Sequence, residues 1–302
     1  MIAIAAAVAL LAHATQEPPV VLSDVVSARP RTFEATRDYV ALIAEPPLHA
    51  ISLATWRRPI CIETVNLRPR AVEALVTQIT TRAAAVGVEV KTSDCWPNVG
   101  VIGTSDGRFT ATELVSAYGD AFRASNGATQ GSREDLRRFA ERDAPVRWWT
   151  IAAQYDVENR AFAEPLSPNA TPRRLDTTAS SIFFNQALVR AMVKVIVILD
   201  ATRTADVPAE VLGDYVAMVV LAEIDPEADL HAFPTVMNLW REGHGSIGMT
   251  AWDQRYLCAL YSAGVRQPGG DLPPIRSRYQ LNEIARRMAA PPDDRAPEDA
   301  CS

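Results

Sequence analysis

The stretch Lys194 to Leu199, reading Lys-Val-Ile-Val-Ile-Leu, constrains this chain more than any other feature. Its β-branched residues favour an extended strand, and it lacks the alternation of a strand with one solvated face, so both faces have to be covered. Asp200 ends the run, and a helical pattern starts near Pro208 and continues to about Ile224. Within that helix Val216 to Leu221 is apolar on all sides, which places it in the middle of the protein.

Upstream, Pro59 to Val65 reads as a strand and Pro69 opens a helix. That helix repeats apolar residues at intervals of three and four through Val72, Leu75, Val76, Ile79, Ala83 and Val86, and Gly87 ends it. Short strands at Val88–Val90 and Val99–Gly103 complete a β-α-β-β unit. Helices are expected at about 110–118 and 133–141, followed by a strand from Val146 to Ala153. The stretch 156–178 reads as an irregular excursion, and Ile182 to Met192 reads as helical. The segment Arg37 to Ala44 leans apolar without declaring its type. A helix at 250–262 has Thr250 as its cap, with Asp253 placed to complete a capping box. The fold class is therefore α+β, a mixed sheet of about five strands with packed helices. Its single domain covers 35–262, followed by a linker at 263–277, a basic helix at 278–290 and an acidic tail at 291–302.

The front of the chain differs from the rest. Ile2 to Leu11 is an unbroken apolar run, too short to span a bilayer, and Ala12-His13-Ala14 supplies the small-x-small pattern of a signal peptidase site. Residues 1–14 are expected to be a signal peptide, although no Lys or Arg precedes the run, and 15–34 an extended segment. The expected location is periplasmic or secreted, with no membrane span left after cleavage. A net charge of −6 argues against a nucleic-acid surface, which needs a basic field. In an oxidising compartment a bridge between Cys61 and Cys95 is expected, although four cysteines allow three pairings. Cys258 falls on a buried helix face and reads as an inert thiol, and Cys301 lies in the tail.

Two segments near the end carry a resemblance: Pro234-Thr235-Val236-Met237-Asn238, and Met249-Thr250-Ala251-Trp252-Asp253 leading to Leu260-Tyr261. Together they resemble the closing part of metzincin-type zinc peptidases, in which a methionine turn beneath the metal precedes a helix of this pattern. The resemblance covers roughly residues 193–262 and implies a zincin-like core, with 208–224 as the central helix and Met237 as the turn methionine. That family's helix carries two His one turn apart and a Glu beside the first, since zinc needs neutral imidazoles and a base for its water. Here the corresponding positions are Asp214, Tyr215 and Met218, and the third ligand position falls near Ile224. The resemblance therefore implies a scaffold without its metal site. Trp56 to Asn66, Cys95 to Asn98, Pro145 to Trp149 and Asp214 to Pro226 are also similar to a set of exported proteobacterial proteins to which no activity is assigned.

Other residues carry groups capable of chemistry. His231 and His244, with Asp229 or Glu242, could form a metal site on loops. Arg147 with Trp149 is a candidate binding pair for a carboxylate, and Trp148 and Trp149 must face opposite sides of a strand. Asp200 suits a turn or cap, Glu223 and Asp225 point apart on a helix, and Ser180 and Ser181 lack nucleophile-elbow glycines. The expectation is a non-catalytic binding protein for a protein or peptide ligand, with no catalytic residues and no cofactor. The alternatives are a divergent metal-dependent hydrolase using His231 and His244, and an envelope-associated structural factor that uses the basic helix near Arg278–Arg287.

Overall fold

The computed structural model describes residues 29–44, 52–122, 132–157, 159–163, 166, 188–241, 248–263, 276–290 and 301. The sheet is mixed and has six strands: β1 (Ile60–Val65), β2 (Val90–Lys91), β3 (Val99–Thr104), β4 (Val146–Asp156), β5 (Ala161–Phe162) and β6 (Leu188–Asp200). Their order is β2-β1-β3-β6-β4-β5. The first four in that order run parallel, and β4 pairs antiparallel with both β6 and the short β5.

The run Lys194 to Leu199 lies within β6, in the interior of the sheet. Within β6, Val195, Val197 and Leu199 face one core while Ile198 and Ile196 face another, so both faces are covered. β6 is longer at its start than the sequence pattern suggested. Residues 188–192, expected to be helical, are strand, and Ala191 and Met192 pair with Ala153 and Ala152 across a register shift in β4. The spacing of Leu188, Val189 and Met192 suits either period; the long antiparallel partner decides it.

Helices cover the two faces unequally. One face carries α1 (Phe33–Ile43), α2 (Pro69–Ala85), α5 (Ala209–Leu221), α6 (Ala251–Ser262) and α7 (Arg276–Ala289), and the other carries α3 (Gly107–Tyr118) and α4 (Arg133–Glu141). Local chemistry starts several of them. Thr32 caps α1, Pro69 opens α2, Asp106 caps α3, and Ser132 with Asp135 forms a capping box on α4. The segment left undecided at 37–44 is thus most of α1, with Tyr39, Val40 and Ile43 fully buried. Gly87 adopts φ 75°, the left-handed conformation that ends α2.

α5 is the hub of the larger core, with every residue from Val216 to Leu221 at 0% exposure. It packs closely against α2 at Gly213, where a Cβ would come within 2.8 Å of the Gln78 side chain. The helix stops at Leu221, short of the expected end near Ile224. Ala222 is extended and Ile224 forms an antiparallel bridge with Ala44. Glu223 is therefore not helical. α7 belongs to the same core: Ile284, Ala285 and Met288 are fully buried, and the Ala285 carbonyl accepts from Thr36 Oγ1 at 2.8 Å.

Two disulfides close the fold. Cys61 at the start of β1 joins Cys95, with Cα atoms 6.0 Å apart. Cys258 on α6 joins Cys301, with Cα atoms 4.9 Å apart. Cys258 is thus not the inert thiol its helix position suggested, because position 301 folds back onto α6. Among the described residues no helix is long and apolar enough to cross a membrane.

Candidate functional site

On the central helix α5, the three side chains singled out from the sequence, Asp214, Tyr215 and Met218, go in different directions. Asp214 is turned toward α2, where Arg82 donates to its carboxylate through Nε at 2.9 Å and Nη2 at 3.2 Å. Its Oδ2 also accepts the Met249 backbone N–H at 2.8 Å. A Cβ on Gly248 would lie 2.6 Å from the same oxygen, so glycine is what lets the chain approach this closely. Tyr215, 5% exposed, stands edge-on between Trp148 on β4 (centroids 6.1 Å apart) and Trp240 (4.7 Å apart). Burial raises the Tyr215 hydroxyl well above the usual phenol range, against the opposing charges of Arg142 and Arg241. Met218 is completely buried among apolar neighbours.

Met237 lies in a short 3-10 turn, Val236–Asn238, that packs against α5. The turn is held from below by Asp253 on α6. One carboxylate oxygen of Asp253 accepts from Tyr39 Oη and Thr235 Oγ1; the other accepts from the backbone N–H groups of Val236 and Thr250, and from Thr250 Oγ1. The capping box read from the sequence is therefore also the clamp that joins α1, the methionine turn and α6. Asn238 adds two donations, to the Leu230 and Phe233 carbonyls at 2.8 Å each.

These residues do not fit a zinc ion. Both oxygens of Asp214 are already engaged by Arg82 and a backbone N–H, Met218 offers a thioether sealed in the core, and Tyr215 is held as a neutral phenol. His231 is exposed and bonded to Asp229 at 2.9 Å, and Asp229 is shared with Arg241 at 3.0 Å. His244 and Glu242 lie outside the described residues, as do Ser180 and Ser181. Among the described residues no group of three or more His, Cys, Asp or Glu side chains converges.

The candidate binding pair is interior. Arg147 is 2% exposed and donates to the Ala144 and Arg142 carbonyls. Burial, with Arg142 and Arg203 nearby, pulls its guanidinium pKa down. Trp149 packs against Phe122 and Phe139 and donates its indole N–H to the Phe122 carbonyl at 2.9 Å. The two tryptophans do face opposite sides of β4, but helices cover both sides, so neither is presented to a ligand. Asp200 serves as a cap: it accepts from Gly107 N at the start of α3, from Thr202 N and Oγ1, and from Arg203 N. Beyond it, a shallow groove of about 280 Å³ between α3 and α4 is lined by Val115, Leu136 and Ala140, on the side of the sheet away from α5.

Sequence reasoning missed the partners. Arg82, Arg142 and Arg241 were not singled out. Neither was Arg190, which is 2% exposed and grips Glu223 through two nitrogens at 2.6 and 2.7 Å. An arginine inside an apolar run, as in Val189-Arg190-Ala191-Met192, is the signal that could have found it, since such a charge needs a buried carboxylate. Comparison of the chain with protein-family models, curated proteins and solved structures finds no match in any of the three.

Proposed function

We propose that this chain is an exported binding protein for a peptide or protein ligand, built on a metzincin-like scaffold whose metal site has been replaced by an ion pair. The observation that carries this reading is the fate of Asp214: where that scaffold would place a zinc ligand, both carboxylate oxygens are tied to Arg82 and Met249 N. A buried strand leading into a central helix, with a methionine turn packed against that helix and a capped helix after it, supports the scaffold half. Two disulfides support export, because thiols are kept reduced in the cytosol.

The test uses the full chain expressed in a bacterial host and recovered from the periplasm or medium. Intact-mass measurement is expected to find an N-terminus at Thr15, and incubation with an unfolded substrate such as casein and added zinc is expected to leave the substrate intact. Zinc-dependent cleavage that disappears on mutating His231 or His244 would overturn the binding-protein reading in favour of a hydrolase.

A further inference from the structure

β1 lies near one edge of the sheet, and only one of its faces is covered. Ile60 and Ile62 face the larger core, so Cys61, Glu63 and Val65 point to the opposite side. On that side the smaller core draws on β3, β6, β4 and β5, and among the described residues on none of β1 or β2. Glu63 is exposed there, and Val65 is 49% exposed. Glu63 pairs with Gly100 of β3, where a Cβ would meet nothing within 4 Å. The result is a bare strip of sheet with a dip in its floor.

One tryptophan stands beside this strip. Trp96 is 94% exposed, although an indole is a large apolar surface to leave in water. Its loop is firmly held. Cys95 is bonded to Cys61, whose side chain lies on the bare side and so brings the loop to that side. Asn98 Oδ1 accepts the Cys61 N–H at 2.7 Å, and Asn98 Nδ2 donates to the Pro59 carbonyl at 2.9 Å. An aromatic on so fixed a backbone loses little freedom when a partner packs on it, which is the property of a binding anchor.

Charge gives the chemistry of that partner. Lys91, on the same side of the sheet, is already 3.6 Å from Glu89. Glu63 has no ion-pair partner among the described residues. An uncompensated carboxylate and an exposed indole on one side of a sheet suit guanidinium groups, which stack on rings and fork onto carboxylates. Cys61, which anchors the tryptophan loop, and Glu63 are two residues apart on one strand, about 7 Å. Alternate side chains of an extended peptide have the same spacing.

We propose that the strip carrying Glu63, Val65 and Gly100, with Trp96 at its end, docks an extended segment of a partner protein that presents arginines two residues apart. One guanidinium stacks on Trp96; the next pairs with Glu63 while its stem lies over Gly100 and Val65. The proposal rests on the binding-protein reading above and deepens it, by naming the kind of segment recognised and the face that takes it.

The experiment titrates the disulfide-intact full chain into a dye-labelled peptide, Ala-Arg-Ala-Arg-Ala, and follows fluorescence anisotropy. Saturable binding is expected, weakening as salt rises from about 50 to 300 mM, and the same peptide with Glu for Arg should not bind. Trp96→Ala and Glu63→Gln should each weaken binding about two- to five-fold. Gly100→Val fills the dip and should weaken it at least as much. All three positions are clear of the core, so thermal midpoints should stay within a degree or two. Equal binding of the Glu peptide, or binding indifferent to all three substitutions, overturns this face and leaves a binding protein. Failure of the Arg peptide to saturate at millimolar protein overturns it as well. Dimerisation that Trp96→Ala abolishes would assign the face to a second copy, and sedimentation with phosphatidylcholine vesicles that it abolishes would assign it to lipid. Either result overturns the arginine-bearing occupant. Cleavage of the peptide, read by mass, overturns the binding-protein reading itself.

Discussion

Arg82 on α2 and Asp214 on α5 are joined by a two-pronged ion pair that spans an extensive helix contact in the larger core. The pair is only partly shielded, with the Arg82 side chain 22% exposed and that of Asp214 9%. Asp214→Ala strands both the guanidinium and the Met249 N–H. The expected cost is about 1.5–3 kcal/mol, as for a hydrogen-bonded charge, read from urea unfolding. An unchanged midpoint would show that the pair is ornamental.

Arg190 and Glu223 should be costlier to separate. Their side chains are 2% and 8% exposed, and Glu223 Oε2 also accepts the Ala54 N–H at 2.7 Å. Glu223→Leu leaves a buried guanidinium uncompensated and is expected to destabilise by about 3–5 kcal/mol. The double variant Arg190→Met/Glu223→Leu should recover most of that loss, since apolar replacement of both partners removes the desolvation cost. A double variant no more stable than the single one would contradict this.

The Cys258–Cys301 bridge closes a loop of sequence separation 43 around α7. Cys301→Ser is expected to lower stability by about 2–4 kcal/mol through the freed denatured chain. It should also raise hydrogen exchange in α7, whose Gln280 Oε1 accepts the Leu53 N–H at 2.7 Å. Protection of α7 that is indifferent to the substitution would mean that helix packing alone holds it.

How far these contacts were legible depends on whether they are local. The helix starts at Pro69 and Thr250, the end at Gly87 and the buried strand before Asp200 all follow from neighbouring residues, and the structure has each of them. The start of β6 was misread because its identity is set by pairing with β4, about forty residues away along the chain, such as Met192 with Ala152. The Arg82–Asp214 pair, with a sequence separation of 132, and the Cys258–Cys301 bridge depend on tertiary proximity that no spacing encodes. At the candidate site, the sequence singled out α5 and its residues Asp214, Tyr215 and Met218. It did not reveal their partners, such as Arg82, which lies 132 residues away in the chain.

Acid should probe Asp200. Burial alone would raise its carboxyl, but donations from Thr202, Gly107 N and Arg203 N outweigh that and hold it below the ordinary value. A depressed folded value contributes stability that is fully present above the ordinary carboxylate range near ~4, and that is lost as pH falls through the folded value. Unfolding free energies of wild type and Asp200→Asn are expected to differ by a constant amount from about pH 5 to 7, with Asp200→Asn the weaker. The difference should shrink below about pH 4. A difference that persists unchanged to pH 2 would remove Asp200 from the account.

On the proposed reading, the Asp214–Arg82 ion pair, the neutral Tyr215 phenol and the buried Met218 thioether leave α5 unable to hold zinc. Zinc titration of the purified full chain, followed calorimetrically and by metal content after dialysis, tests it most directly. The expected result is no stoichiometric zinc in the wild type and no change when Asp214 or Tyr215 is substituted. One zinc per chain, lost on His231→Ala or His244→Ala, would contradict it.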